Sequence, residues 1–444
     1  MLLNEDLASP VPLPSPALAV QHVLCGTTRD YKDPSGTHLL TRTSKFFDWQ
    51  QARTEAGYWP YSRSLEVAPE TSTQILDCRG LPQRGVNFAS QDYLSLASDS
   101  EVKNAAIEAI HKYGVHSAGS AAVLGNTNLS LRLEEALGEL LATEHVTLFP
   151  TGWAAGYGVS KGLIRPDDYI LMDMLSHSCL QEGAYAATSK ISLYRHLDHA
   201  HLRSLLQRIR KNDSKNAILV ITEGLFSMDS DSPDIRQFQT ACHEYSATLV
   251  VDVAHDLGAM GEGGTGQLGL QNMLGEVDLV MGSFSKSFAS NGGFVASRHA
   301  SVKQFLKAFS PPQTFSNALS PAQAATVLKT IEIIRSPRGD ALRAALMHNI
   351  TSLRNKLLAH GLHVMGTPSP IVPVLIGREE HGRIAASLLA NHGVITNLVE
   401  YPAVPQDQAR LRMQVMARHT DAETSMAALG VAKAIAEAKR GCHR

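Results

Sequence analysis

Asp278-Leu-Val-Met-Gly-Ser-Phe-Ser-Lys-Ser-Phe-Ala-Ser-Asn-Gly-Gly-Phe-Val-Ala, ending at Ala296, decides how this 444-residue chain is read. Its apolar run from Leu279 to Met281 predicts a buried strand. That strand ends in a small, hydroxyl-rich turn carrying one lysine, Lys286, and a Gly-Gly pair then leads into a second apolar run. A lysine held on small residues beside a buried strand suits an amine that forms a Schiff base with an aldehyde. Alone, it would be an ordinary surface lysine. Its companions in the chain overturn that reading.

Upstream, Val250-Val-Asp-Val-Ala-His places Asp252 at the end of another apolar run, with His255 three residues on. Open α/β sheets bind ligands outside the carboxyl ends of their strands. A lysine and an acid so arranged are what pyridoxal phosphate (PLP) requires: an imine partner, and a carboxylate that keeps the pyridinium nitrogen protonated. Thr151-Gly-Trp-Ala-Ala-Gly-Tyr-Gly opens a helix after the apolar residues 146–149, and backbone N–H groups at a helix start hold phosphate well. Gly152 and Trp153 are the candidate donors, and Ser283 adds a hydroxyl. His177 follows the apolar Tyr169-Ile-Leu-Met and is a candidate to stack on the ring. Ser227, after Ala217-Ile-Leu-Val-Ile, is a candidate to face the same site.

Working outward, Tyr169-Ile-Leu-Met, Ile191-Ser-Leu-Tyr, Ala217-Ile-Leu-Val-Ile, Thr248-Leu-Val-Val and Asp278-Leu-Val-Met are five strand candidates. Helical patterns at 202–210 and 235–245 lie between them. Continuous apolar strands alternating with helices predict an α/β fold whose mostly parallel sheet is sandwiched by helices. Helices are also expected at 100–113, capped by Ser100, and at 131–141. From 321 the pattern changes: a helix to about 334, a strand at 371–376, a helix at 381–392, a strand at 410–415 and a last helix from about Asp421. The expected organisation is a proline-rich arm or linker at 1–45, an N-terminal segment at 46–100, a large PLP-binding domain at 101–320 and a small C-terminal α+β domain at 321–444.

Composition narrows the function classes. Hydrophobic residues at 44% and charged residues at 18% are ordinary for a globular enzyme. A formal net charge of -2 gives no reason to expect nucleic acid or an anionic membrane as partner. The 5 cysteines are scattered without a C-x-x-C pair, which indicates neither a disulfide framework nor a metal site and suits a cytoplasmic setting. No apolar run is long enough to predict a transmembrane segment.

Thr222-Glu-Gly-Leu-Phe-Ser-Met-Asp, Val251-Asp-Val-Ala-His, Gly282-Ser-Phe-Ser-Lys-Ser and Gly292-Gly-Phe-Val-Ala, in that order, resemble the α-oxoamine synthase family of PLP-dependent enzymes. The resemblance runs from about residue 87 to the C-terminus. It implies the aminotransferase-like PLP-dependent transferase fold type I. It also implies a decarboxylative Claisen-type condensation of an amino acid with an acyl thioester, on CoA or an acyl carrier protein, giving an α-aminoketone in a lipid or polyketide-type pathway. By resemblance Lys286 forms the imine, Asp252 partners the pyridinium, and His177 stacks on the ring. Ser227 and His255 lie at the phenolic oxygen, and Gly152 and Trp153 at the phosphate. Arg412 grips the amino-acid carboxylate, while Ser316 reaches the phosphate of a neighbouring subunit in a homodimer with shared active sites.

The chain departs from its family near the substrates. It has Gly119-Ser-Ala-Ala where Gly-Ser-Arg is common, no histidine in Asn126-Thr-Asn-Leu-Ser-Leu-Arg-Leu-Glu, and Gln91 where asparagine is usual. Gln91 is therefore a candidate substrate contact. The rival readings are another fold type I reaction, transamination or aldol cleavage, and a non-catalytic partner subunit. Against the second stands Lys286, which such a partner would be expected to lack.

Overall fold

The structure, a computed structural model, describes residues 23–441. The proline-rich run at 9–16 lies outside the described residues. Three short strands come first: β1 (Ser64–Leu65), β2 (Ser72–Leu76) and β3 (Pro82–Asn87), paired antiparallel in sequence. The next seven build the central sheet: β4 (His145–Phe149), β5 (Tyr169–Asp173), β6 (Ile191–Tyr194), β7 (Ile218–Glu223), β8 (Thr248–Asp252), β9 (Leu279–Ser283) and β10 (Gly293–Ser297). Their spatial order is β4-β10-β9-β8-β7-β5-β6.

The pairs β9–β8, β8–β7, β7–β5 and β5–β6 are parallel, as expected for the five predicted strands. β10 runs antiparallel to both neighbours, β4 and β9. Consequently β4 points the same way as the parallel set, and six strands end at one edge. Alternate residues feed two cores, one on each face of the sheet. Leu219 and Ile221 pack with Ala155, Val159 and Leu180 on one face. Ile218 and Val220 pack with Leu202, Leu205 and Phe238 on the other. Burial on both faces explains why these strands read as unbroken apolar runs.

The C-terminal strands are β11 (His363–Val364), β12 (Ile371–Gly377), β13 (Val394–Ile395), β14 (Asn397–Val399) and β15 (Ala409–Gln414). An antiparallel sheet has the order β11-β12-β15-β14, while β13 pairs in parallel with β3. That last pairing sets Val86 opposite Val394 and Asn87 opposite Ile395. Residues 46–100 therefore extend the C-terminal layer in space. The helix Pro321–Ile334, where the C-terminal region was expected to start, packs against helices Ser100–Tyr113 and Asn128–Leu141. Its Ser320 forms a capping box with Gln323.

One expectation needs correction. Asp99, not Ser100, caps the helix Ser100–Tyr113, accepting from Glu101 N at 3.0 Å. Its other oxygen takes Arg338 and also Arg418 at 3.1 Å, so one carboxylate caps a helix and joins two distant segments. In addition, the first described residues of the expected arm, 23–26, are docked on the rest of the chain. Val23 and Leu24 are buried, and the Leu24 and Gly26 carbonyls accept from Arg383. The helix Ser44–Glu55 follows, and its Trp49 donates Nε1–H to the Cys25 carbonyl at 3.2 Å.

Behind this contact lies a buried charge cluster. Arg383 pairs with Glu400 at 2.7 Å, and Arg53 faces the same carboxylate at 3.9 Å. Arg53 also lies over the Trp49 and Trp59 rings, at 4.6 and 5.6 Å from their centroids. Burial, then repulsion from Arg383, lowers the Arg53 pKa to about 10 against the pull of Glu400. Removing one partner of a buried pair leaves charge uncompensated. Glu400→Ala should therefore destabilise the protein by about 3–5 kcal/mol in chemical denaturation. Arg203→Ala, which breaks an exposed pair with Glu244, should change stability by about 1 kcal/mol or less.

Candidate active site

The strand ends bring the candidate residues to one sheet edge. After β4, Thr151 caps the helix Gly152–Leu163, accepting from Ala154 N at 3.0 Å. Gly152 packs so tightly on β9 that a Cβ there would stand 2.3 Å from Ser283 Cβ and Oγ. Only glycine lets the helix start touch that strand end. Ser283 is buried, with its Oγ 2.8 Å from Ser285 Oγ. The Trp153 ring is half exposed and stacks on Tyr157, leaving its backbone N–H as the group available at the helix start.

After β5, His177 caps the helix Ser178–Ala187 and remains exposed. Its Nδ1 lies 3.0 Å from Cys179 Sγ and accepts from Cys179 N at 3.3 Å. Its backbone N–H donates to Glu223 Oε1 at 2.6 Å. Glu223 ends β7, and in the parallel register it stands opposite Asp252, the last residue of β8. Ser227 lies beyond β7, buried in a turn that Phe226 and Asp231 close. Asp252 Oδ1 accepts from Ala254 N at 2.9 Å.

Charge and burial dominate here. Burial lowers the Lys286 pKa; Asp252 opposes this and Arg412 adds to it. Burial raises Asp252, while Lys286 and then His177 hold it down. Glu223 is raised well above the carboxylate range by burial and by Asp252. The protein packed around the otherwise exposed His177 lowers its pKa, against the pull of Asp252, and His255 is held well below its ordinary value by burial and then by Lys286, Arg412 and His177. A half-buried lysine and a buried aspartate that each steady the other's charge form a reactive pair.

The C-terminal layer contributes the other side. Arg412 sits on β15, paired with Pro373 of β12 and Asn397 of β14. Burial lowers its pKa, and its Nε is buried with no hydrogen-bond partner. Gln91 is half buried beside a tightly bonded turn: the Ala89 carbonyl accepts from Asn397 Nδ2 at 3.0 Å and from Gln414 Nε2 at 3.2 Å. Ser316 is half buried in a segment pinned to the 119–125 loop. There Ala318 N donates to the Gly119 carbonyl and Ser120 Oγ to the Thr314 carbonyl.

These residues suit PLP on physical grounds. The glycine at the helix start clears room beside a serine hydroxyl, as a phosphate cradle requires. A buried carboxylate at the strand end wants a positive partner, which a protonated ring nitrogen supplies. An arginine with an unpartnered buried nitrogen suits a substrate carboxylate. The sequence reading assigned no role to Glu223, Tyr93 or Gln414, which the fold brings to the same site. Glu223 falls within the quoted run Thr222-Glu-Gly, and Tyr93 stands two residues after Gln91. Gln414 carried no signal beyond its place in an apolar strand.

Comparison with known proteins agrees. The aminotransferase class I and II family matches residues 83–430. A serine palmitoyltransferase of Sphingobacterium spiritivorum is 35% identical over 382 residues, covering 86% of this chain and 93% of that protein. An 8-amino-7-oxononanoate synthase of Thermoanaerobacter pseudethanolicus is 33% identical over 366 residues, covering 82% and 90%. Among solved structures, the Sphingomonas wittichii serine palmitoyltransferase superposes with a TM-score of 0.83 at 26% identity, covering 91% of this chain and 100% of that one.

One buried acid beside the site gives a test. Asp256 follows His255, accepts from Gln267 N at 2.6 Å and has Oδ1 unpartnered. Burial, and secondarily Asp252, push its pKa up to about 8 against the Gln267 bond. A carboxyl raised on folding binds its proton more tightly in the folded chain. Its contribution to stability is full below the ordinary aspartate pKa of about 4 and is lost as pH rises through about 8. Asp256→Asn cannot ionise. Denaturant midpoints measured across that window should fall more for the native chain than for the variant.

Proposed function

The chain belongs to the aminotransferase class I and II family, in its α-oxoamine synthase branch, and on that footing we propose that it condenses an amino acid with an acyl thioester. It is a PLP-dependent acyltransferase. In the proposed reaction the amino acid loses carbon dioxide, a carbon–carbon bond forms between its α-carbon and the acyl carbonyl, and the carbon–sulfur bond breaks. The products are an α-aminoketone and a thiol, the thiol being CoA or an acyl carrier protein. The observation that carries the reading is the half-buried Lys286 and the buried Asp252, which follow adjacent parallel strands at one sheet edge, with the charge of Arg412 bearing on the lysine.

When bound, PLP supplies an electron sink for the charge that develops at the α-carbon. Gly152, Trp153 and Ser283 would hold its phosphate, Asp252 its ring nitrogen, His255 and Ser227 its phenolic oxygen, and His177 its ring face. Lys286 would hold its aldehyde carbon. Arg412 would take the amino-acid carboxylate with a planar fork of donors that orients the α-carbon. Burial lowers the Lys286 pKa, which eases the exchange of a proton between Nζ and that carbon. Gln91 would contact the substrate.

We propose further that the enzyme works as a homodimer. Phe315 and the loop residues Val123 and Leu124 are exposed apolar groups on the two pinned segments that flank Ser316. Exposed apolar groups gathered in this way mark an association surface. A second copy seated there would bring its own Ser316 toward the phosphate.

Protein loaded with PLP should give an absorbance change with its cognate amino acid. It should release thiol only when both that amino acid and an acyl thioester are present. Lys286→Ala should lower thiol release by at least about 100- to 10,000-fold. Arg412→Lys should raise the amino-acid KM roughly 10- to 100-fold, because the bidentate contact is lost. Transfer of amino groups to keto acids without thiol release would mean a different fold type I reaction.

A further inference from the structure

Tyr93 is fully buried, yet its hydroxyl stands at a junction of polar groups. It lies 2.8 Å from His255 Nδ1 and 3.4 Å from Gln414 Oε1. The charge of the Arg412 guanidinium bears on the same hydroxyl and favours its oxygen as an acceptor from that side. A phenol has one proton to give and lone pairs to accept with. Arg412 can only donate. The Gln414 oxygen can only accept, since its amide nitrogen faces the Ala89 carbonyl.

The single Tyr93 proton thus has two destinations, and distance decides between them. The His255 contact is short, whereas 3.4 Å lies beyond the usual O–H···O range of roughly 2.5–3.0 Å. Given to His255, the proton meets a bare Nδ1, and the neutral ring must carry its own proton on Nε2. In the reverse arrangement Nδ1–H and Arg412 both donate to the tyrosine oxygen. The tyrosine proton is then left to the long contact, and His255 turns a bare lone pair outward. Lys286, Arg412 and His177 also face His255, and a ring among three groups of positive or potentially positive charge stays neutral.

We propose that Tyr93 is a positioning residue: it accepts from Arg412, donates to His255 Nδ1, and so fixes the Nε2–H tautomer that offers a donor to the phenolic oxygen of PLP. The arginine that binds the substrate carboxylate is thereby joined through one hydroxyl to the histidine at the cofactor. This inference rests on the roles proposed above for Arg412 and His255, and adds the residue that couples them.

Proton-coupled nitrogen NMR of histidine-labelled apoprotein, with His255→Asn to identify the signal, reads the tautomer without any turnover. His255 should be protonated on Nε2 alone. In Tyr93→Phe, which keeps the ring and loses the oxygen, that single-tautomer signature should disappear. In the holoenzyme the same variant should move the pH midpoint of the PLP absorption band by about half a unit or more. It should also weaken amino-acid binding about tenfold. If Arg412→Lys leaves amino-acid affinity unchanged, the site assignment itself fails. If that variant does weaken binding, the coupling alone is overturned by either of two results. One is a native His255 protonated on Nδ1, a measurement that needs no variant. The other is a Tyr93→Phe protein with unchanged tautomer and unchanged band midpoint.

Discussion

Asp252 is buried and Lys286 half-buried where a lone charge would be expensive, and each is made tolerable by the other. The remaining architecture serves that pairing. β8 and β9 lie side by side in parallel, with Asp252 opposite Met281, so both residues emerge at the same edge. β7 brings Glu223 beside Asp252, a second carboxylate in the same dry space, and burial with the neighbouring Asp252 raises its pKa well above the carboxylate range. That acid then holds the His177 backbone in place. One opposed pair at a sheet edge therefore organises two further functional positions.

The site is completed from a second direction. Arg412 rides on β15 in the C-terminal antiparallel sheet, and Tyr93 follows strand β3, which joins β13 across some 300 residues of chain. Asp99, Arg338 and Arg418 tie these segments together, and Glu400 with Arg53 and Arg383 anchors the N-terminal helix to the same layer. The buried arginines are a stability device away from the chemistry. They explain why the segment from Val23 onward packs on the C-terminal layer.

Much of this was legible in the residues. Five parallel strands announced themselves because almost every side chain is apolar, and all but the edge strand β6 are buried on both faces. β2 and β3 did not, since Ser72-Thr-Gln-Ile-Leu and Pro82-Gln-Arg-Gly-Val-Asn mix polar and apolar residues on half-exposed strands. The helix at 100–113 was clear from its spacing, yet its cap was misplaced by one residue. Asp and Ser stand side by side there, and only the backbone conformation chooses between them. Lys286, Asp252, His255 and His177 stood out because each follows an apolar run. Tyr93 and Gln414 did not, because a buried tyrosine and a strand glutamine look like core and surface until their partners are known.

The sequence by itself determined the α/β class, the family, the cofactor and the strand ends at which chemistry takes place. These follow from local properties: apolar runs long enough for a strand, and small or titratable residues where the runs stop. Tertiary structure alone decided the antiparallel course of β10, the joining of residues 82–87 to 394–395, and the approach of Tyr93 to His255 and Arg412. The last two depend on contacts between residues 162 and more positions apart. No local pattern encodes such a contact, because its energy comes from burial and hydrogen bonding that exist only once the layers have closed.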